Sequence, residues 1–228
     1  TSDGTAVYAW GYNVDGQLGT HNKSPSLIPV LTIIPAHNSF IINGTFTPQS
    51  STINYIGDYS EGSAAIAWTA VTGTTYNHLV INNSAETFVL AGAVTVQGNF
   101  TITSGTLDTN YDAGGYSINV AGNWLNSGTF VAGSGTVNFN GTASGKQITT
   151  GGNGNPFYNL QFTGTDGRWT LQDDMKVTGQ FKVTNGVFIS GANTVTLQGV
   201  TATYLGTDVN AANTNWTSGT LTLLSDTD

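Results

Sequence analysis

Hydrophobic and polar residues alternate over many short stretches of this chain. The alternation is clearest over residues 94–102, 118–124 and 177–183, where every second residue is apolar or glycine. A period of two places the apolar side chains of a strand on one face and the polar ones on the other. Turn dipeptides such as Ser104-Gly105 and Asn185-Gly186 follow these stretches. The pattern therefore predicts an all-β protein with strands of about five residues.

The second half of the chain repeats the first. Residues 52–55 (TINY) match residues 136–139 (TVNF) at an offset of 84, and residues 96–103 match residues 177–184 at an offset of 81. A partial third copy begins after Gly191. Self-similarity at a fixed period is typical of repeat architectures. We expect residues 39–228 to form one unit of about two and a half such repeats.

Two architectures fit this repeat. A parallel β-solenoid, or right-handed β-helix, uses coils of roughly 20 to 27 residues, which gives about three coils per repeat and about eight in the chain. The alternative is tandem antiparallel β-sandwiches of about 80 residues each, because Ser-Gly and Asn-Gly also serve hairpins. We favour the solenoid, since Asn and Gly at the corners suit stacked coils and the chain has no cysteine for a Cys-Trp-Cys spacing.

The repeat contains the segments 121–124 (AGNW), 127–130 (SGTF), 134–141 (SGTVNFNG) and 157–160 (FYNL). With these segments it resembles the repeats of very large bacterial and archaeal surface proteins of the adhesin or filamentous-haemagglutinin kind. The resemblance implies a long right-handed β-helix at the cell surface that is not an enzyme.

The first 38 residues have a sequence pattern different from that of the repeat, and we expect them to form an N-terminal arm. Residues 8–13 (YAWGYN) followed by residues 16–19 (GQLG) resemble one repeat of the regulator of chromosome condensation family, a seven-bladed propeller. One repeat cannot close a propeller, so the family's activities do not carry over. The arm's apolar residues, which we predict to contact another subunit or to cap the chain's own core, are Val7, Tyr8, Trp10, Leu18, Leu27, Ile28, Val30, Leu31, Ile33 and Ile34.

Composition excludes several functions. Charged residues make up 8% of the chain, against roughly 25% in ordinary soluble domains, and the net charge is -8. This charge argues against a nucleic-acid partner, and no apolar run approaches the roughly 20 residues of a membrane-spanning helix. The absence of cysteine removes disulfides and thiolate-held metals.

Few residues could carry chemistry. Asp108, Asn110 and Asp112 alternate like calcium ligands, although they do not continue into a full calcium loop. Trp68, in a stretch absent from the second copy, is a candidate sugar-stacking platform. The adjacent pair Asp173 and Asp174 would point to opposite faces of a strand, which disfavours a catalytic carboxylate pair. We expect no cofactor, with calcium as the one plausible ion.

Together these features predict a non-enzymatic extracellular structural protein, a subunit or segment of a cell-surface filament or adhesin. Its partners would be copies of itself, assembled head to tail by β-strand addition and end-to-end solenoid contacts, with host or matrix glycans as further candidates. The alternative is a carbohydrate-binding or carbohydrate-cleaving β-helix module, of the spike or lyase kind.

Overall fold

The computed structural model describes residues 8–11, 26–31, 45–56, 68–71, 73–109, 115–198, 214–215 and 219–224. For residues 8–11, 26–31, 68–69 and 214–215 only the backbone is described. All regular secondary structure within these ranges is β.

The strands are short and follow one another closely. In chain order they are Tyr8–Gly11 (β1), Ser26–Leu31 (β2), Thr52–Tyr55 (β3), Trp68–Val71 (β4), Thr75–Tyr76 (β5), His78–Leu90 (β6), Val94–Val96 (β7), Phe100–Asp108 (β8), Ile118–Val120 (β9), Trp124–Asn126 (β10), Thr129–Val131 (β11), Thr136–Phe139 (β12), Lys146–Thr149 (β13), Asn159–Phe162 (β14), Arg168–Leu171 (β15), Met175–Val177 (β16), Phe181–Val183 (β17), Val187–Ile189 (β18), Thr194–Gln198 (β19), Thr214–Asn215 (β20) and Thr220–Leu224 (β21).

Strands β3 to β21 pair only in parallel, each with the strand one coil away. Paired residues lie between 19 positions apart, as in Val120 and Phe139, and 26 positions apart, as in Leu197 and Leu223. The coils stack into a β-solenoid of about six turns. The predicted parallel solenoid is thus confirmed, and the alternative of antiparallel sandwiches is wrong for this part of the chain.

Each full coil has three faces. Strands β5, β7, β9, β12, β14 and β17 form a six-stranded sheet, and β16, β19 and β21 form a three-stranded sheet. The ten-stranded sheet turns a corner, because β10 pairs with residues 100–102 of β8 while β11 pairs with residues 106–108 of the same strand. The long strands β6 and β8 therefore belong to two faces at once.

The core is a column of inward-facing side chains that stack from coil to coil. Burial alternates along the strands, with Val94 and Val96 buried around a half-buried Thr95. Phe100 stacks on Trp124 with ring centroids 4.6 Å apart, and Phe139 stacks on Phe162 at 5.2 Å. Like residues meet because parallel in-register pairing places equivalent positions directly above one another.

Polar side chains at one corner link successive coils in the same register. His78 Nδ1 accepts the backbone N–H of Asn99 at 2.9 Å, and Asn99 Oδ1 accepts that of Asn123 at 3.0 Å. Asn123 Oδ1 in turn accepts the N–H of Gln147 at 2.8 Å. These bonds satisfy backbone donors that the strand ladder leaves open at the turn.

From Tyr76 onward the internal repeat has a structural counterpart at an offset of 81. The N–H groups of Gln97 and Gly98 donate to the carbonyls of Tyr76 and Asn77, and those of Thr178 and Gly179 donate to Phe157 and Tyr158. Tyr76 therefore corresponds to Phe157. The sequence motif SGTL at 218–221 likewise corresponds to 134–137, since Leu221 pairs with Val195 as Val137 pairs with Ile118.

Equivalent strands of the repeat lie on different faces. From Val96 the register leads through Val120 and Phe139 to Phe162, which is three coils. The residue equivalent to Val96 is Val177, two strands further on in β16. One repeat therefore spans about three and two-thirds coils. As a result, each copy of the repeat is rotated by one face about the solenoid axis relative to the copy before it.

Candidate functional site

The adjacent carboxylates Asp173 and Asp174 bind backbone groups of two different coils. The Asp173 carboxylate accepts the N–H groups of Thr150, Gly151 and Gly152 at 2.8 to 3.1 Å, and also the Thr150 hydroxyl. Asp174 Oδ1 accepts the N–H of Thr194 at 2.8 Å. The two side chains thus reach to opposite neighbouring coils, where Asp173 holds the turn at residues 150–152 and Asp174 holds the start of β19. Both residues lie between β15 and β16 and not within a strand, so the expectation of opposite strand faces does not apply to them.

The predicted calcium ligands are described only in part. Asp108 ends β8, and its backbone lies between Val89 and Val131 of the neighbouring coils. Asn110 and Asp112 lie outside the described residues. Within the described ranges no three His, Cys, Asp or Glu side chains cluster to hold a metal ion. The calcium site stays a prediction.

Trp68 begins strand β4, which pairs with the second half of β6. Its side chain lies outside the described part of the structure, so its proposed contact with sugars stays a prediction.

Two segments of the predicted arm form an antiparallel pair. Tyr8 lies opposite Leu31 and Ala9 opposite Val30, with an irregularity before Gly11. Trp10 of β1 and Leu27 and Ile28 of β2 belong to the same pair of strands. The other arm residues, Val7, Leu18, Ile33 and Ile34, lie outside the described residues.

The strand β21 leaves apolar side chains uncovered, and we call Leu221, Leu223 and Leu224 the open end. Leu221 and Leu223 are 38% and 63% exposed, although they align with the core residues Val195 and Leu197, which are 0% and 5% exposed. Among the described strands β21 pairs only with β19. An apolar core row and the outer edge of a strand therefore meet solvent at this end.

The opposite end of the described solenoid is covered. Tyr55 and Tyr76 are buried and join through their hydroxyls at 2.9 Å, while Phe46 packs edge-on against Tyr76. Val71 of β4 is fully buried. The two ends thus differ, since the inward-facing Tyr55 at this end is buried whereas Leu221 and Leu223 at the β21 end are exposed.

A cleft of about 460 Å³ opens at the corner between β12 and β13. It is lined by Thr95, Val96, Gln97, Ala121, Asn140, Gly141, Thr142, Ala143 and Lys146. Lys146 is 7% exposed; its ammonium donates to the Ala143 carbonyl and lies 4.6 Å from the centre of the Trp169 ring. Burial lowers the pKa of Lys146 below its ordinary value.

Sequence reasoning predicted contacts at a solenoid end but not which residues form that end, and it missed the cleft. The inward position of Lys146 could have been predicted from the sequence. Lys146 lies two residues before the core residue Ile148, so both side chains point to the same face of β13. The exposure of Leu221 and Leu223 could not be predicted from the sequence, since the two leucines alternate with polar residues as core residues do. Exposure depends on whether another coil covers the strand, and the alternation of residues contains no information about that.

The comparison with protein families finds a similarity in the arm. The model of the Regulator of chromosome condensation (RCC1) repeat matches residues 5–42, a small part of the chain and in agreement with the resemblance in the arm. No curated protein and no solved structure matches the chain. Within the described residues no helix is long and apolar enough to cross a membrane.

Proposed function

We propose that this chain is a non-enzymatic structural segment of an extracellular filament or adhesin, and that it associates with copies of itself through the open end. The observation that carries the proposal is the exposure of Leu221 and Leu223 at positions that are core in the preceding coil. Apolar area removed from water contributes about 25 cal/mol per Å². Covering this end therefore favours association.

The outer edge of β21 offers backbone hydrogen bonds to the same contact. An unpaired strand edge offers a row of N–H and C=O groups to which another chain can add a strand. We propose a heterologous contact, which joins the open end of one copy to another surface of the next, because an isologous contact between two open ends would stop at a dimer. Heterologous contacts that do not close into a ring generate filaments.

The arm of a second copy is the surface we propose for that contact. Its strand β2 carries Leu27, Ile28, Val30 and Leu31 in six residues, an apolar content that suits the exposed leucines. Pro29 within β2 lacks an N–H and so limits which edge of the strand can pair. Head-to-tail repetition of this contact builds a fibre.

The scarcity of charge supports assembly outside the cell. With 8% charged residues, the stacked coils avoid rows of like charge. Few charged side chains are then available to oppose association at the strand edges. A surface with few ionisable groups also depends little on external pH.

Electron microscopy of the purified chain tests the proposal. We expect regular unbranched fibres, and we expect deletion of residues 1–35 to abolish them while the β-sheet circular dichroism stays unchanged. Fibres that persist without the arm would exclude the arm as the contact. Monomers at every concentration reached would contradict self-assembly.

A further inference from the structure

The cleft at the β12–β13 corner exists because one turn is longer than those above it. Three residues, 97–99 and then 121–123, connect the faces at this corner in two successive coils, whereas residues 140–145 make a six-residue loop in the next. Gly141 lies directly under the backbone of Ala121, leaving no room for a Cβ. The loop is therefore fixed at its start and forms one wall of the cleft, with Gln97 and Ala121 on the other.

Lys146 is the only charged side chain among the buried residues of the described structure. Its partners there, the Ala143 carbonyl and the Trp169 ring, are both neutral. A buried cation without a negative partner is costly, and a charge that is retained in such a place commonly pairs with an anion. The ammonium has three donors, and one hydrogen bond to Ala143 leaves two available.

The rest of the cleft offers neutral hydrogen-bonding groups. Thr95, Gln97, Asn140 and Thr142 contribute hydroxyl and amide side chains, and the last three are exposed. Hydroxyl and amide groups both donate and accept, as sugar hydroxyls require. A cleft of about 460 Å³ also exceeds what a lone carboxylate or inorganic anion fills.

We propose that this cleft binds an acidic sugar unit, a hexuronate, whose carboxylate pairs with the Lys146 ammonium and whose hydroxyls bond to Gln97, Asn140 and Thr142. The cation over the Trp169 ring is held in place before the ligand arrives, because the ring is fully buried and its Nε1 donates to the Gly122 carbonyl at 3.3 Å. Binding at this corner does not depend on assembly at the open end.

Titration of the ¹⁵N-labelled full chain with sodium glucuronate, at constant ionic strength, tests the site. We expect saturable shifts of the amide resonances of Gln97, Thr142 and Ala143. Glucose, which has the hydroxyls without the charge, and acetate, which has the charge without the hydroxyls, should each bind at least tenfold more weakly.

The variant Lys146→Met keeps the length and the apolar contact with Trp169 but removes the charge. It should weaken glucuronate binding at least tenfold, whereas Lys176→Met, which removes a charge from the outer side of β16, should leave it unchanged. Absence of shifts, equal binding of glucose or acetate, or full affinity in Lys146→Met would each overturn the proposal.

Two further variants serve if Lys146→Met fails to fold. Asn140→Ala and Thr142→Ala alter exposed side chains of the loop, so the fold should tolerate them. We expect each to weaken glucuronate binding severalfold, and unchanged affinity in both would contradict the assigned contacts.

Discussion

At the residue scale, a single carboxylate organises the turn that follows β13. Asp173 accepts four hydrogen bonds from Thr150, Gly151 and Gly152 of the preceding coil. Gly151 and Gly152 have φ of 78° and 82°, which turns their N–H groups toward the carboxylate at little cost for glycine. Such an arrangement of backbone donors is a small anion-binding nest.

Asp173→Asn should lower the free energy of unfolding by about 2 to 3 kcal/mol. The amide nitrogen replaces one acceptor oxygen and faces backbone donors, so two bonds are lost. The matched control is Asp174→Asn, whose amide oxygen can still accept the N–H of Thr194, and its effect should stay within about 0.5 kcal/mol. Urea unfolding measures both; equal effects would refute the nest.

The buried ammonium of Lys146 makes stability depend on alkaline pH. Because burial lowers its folded-state pKa from the ordinary 10.5, the unfolded chain binds this proton more tightly than the folded chain between the two pKa values. Stability therefore rises with pH in that window.

We expect the difference in unfolding free energy between the parent chain and Lys146→Met to shift in favour of the parent between pH 7 and pH 10. The charge-removing control variant is Lys176→Met, on the outer side of β16. A difference that stays constant with pH would show that Lys146 titrates alike in both states.

At the scale of the element, the long strand β8 turns a corner at a glycine. Gly105 has φ of 85°, and a Cβ at this position would collide with the carbonyl oxygen of Asn83 in β6. The corner therefore requires glycine for two reasons: its positive φ and the close approach of the neighbouring coil.

Gly105→Ala should destabilise the protein by about 2 kcal/mol or more. Gly154→Ala is the control, because its Cβ would enter open space and its φ is not positive, and we expect a change within about 0.5 kcal/mol. Thermal unfolding compares the two. Equal melting temperatures would mean that the β6–β8 corner relaxes freely.

The sequence predicts the elements better than their arrangement. Alternation identifies β7, β10 and β17 and places Trp124 in the core, because strand periodicity depends only on neighbouring residues. The face on which a strand lies depends on the summed lengths of all preceding turns, and coils of 19 to 26 residues make that sum unpredictable. The cleft has the same origin, since it depends on one turn being longer than those above it.

At the scale of the whole molecule, the repeat turns as it advances. Residues of β7 that face out on the six-stranded sheet have their equivalents in β16 on the three-stranded sheet. Equivalent surface positions thus appear on successive faces, so no face carries a uniform ladder of one motif. The likeness between coils is found inside, where aromatic rings contact one another from coil to coil, from Phe100 through Trp124, Phe139 and Phe162 to Phe188.

The open end is the feature on which the proposed function depends, and it can be changed without touching the interior. Because Leu221 and Leu223 are exposed, replacing both with lysine should leave the fold intact. The control is Val131→Lys, which charges an apolar position on the outer face of β11 that is about as exposed as Leu221.

Sedimentation velocity over a concentration series measures the claim most directly. The parent chain and Val131→Lys should form species that grow with concentration, whereas the double variant Leu221→Lys/Leu223→Lys should stay a monomer with unchanged circular dichroism. A parent chain that remains monomeric, or a double variant that assembles like the parent, would contradict association through the open end.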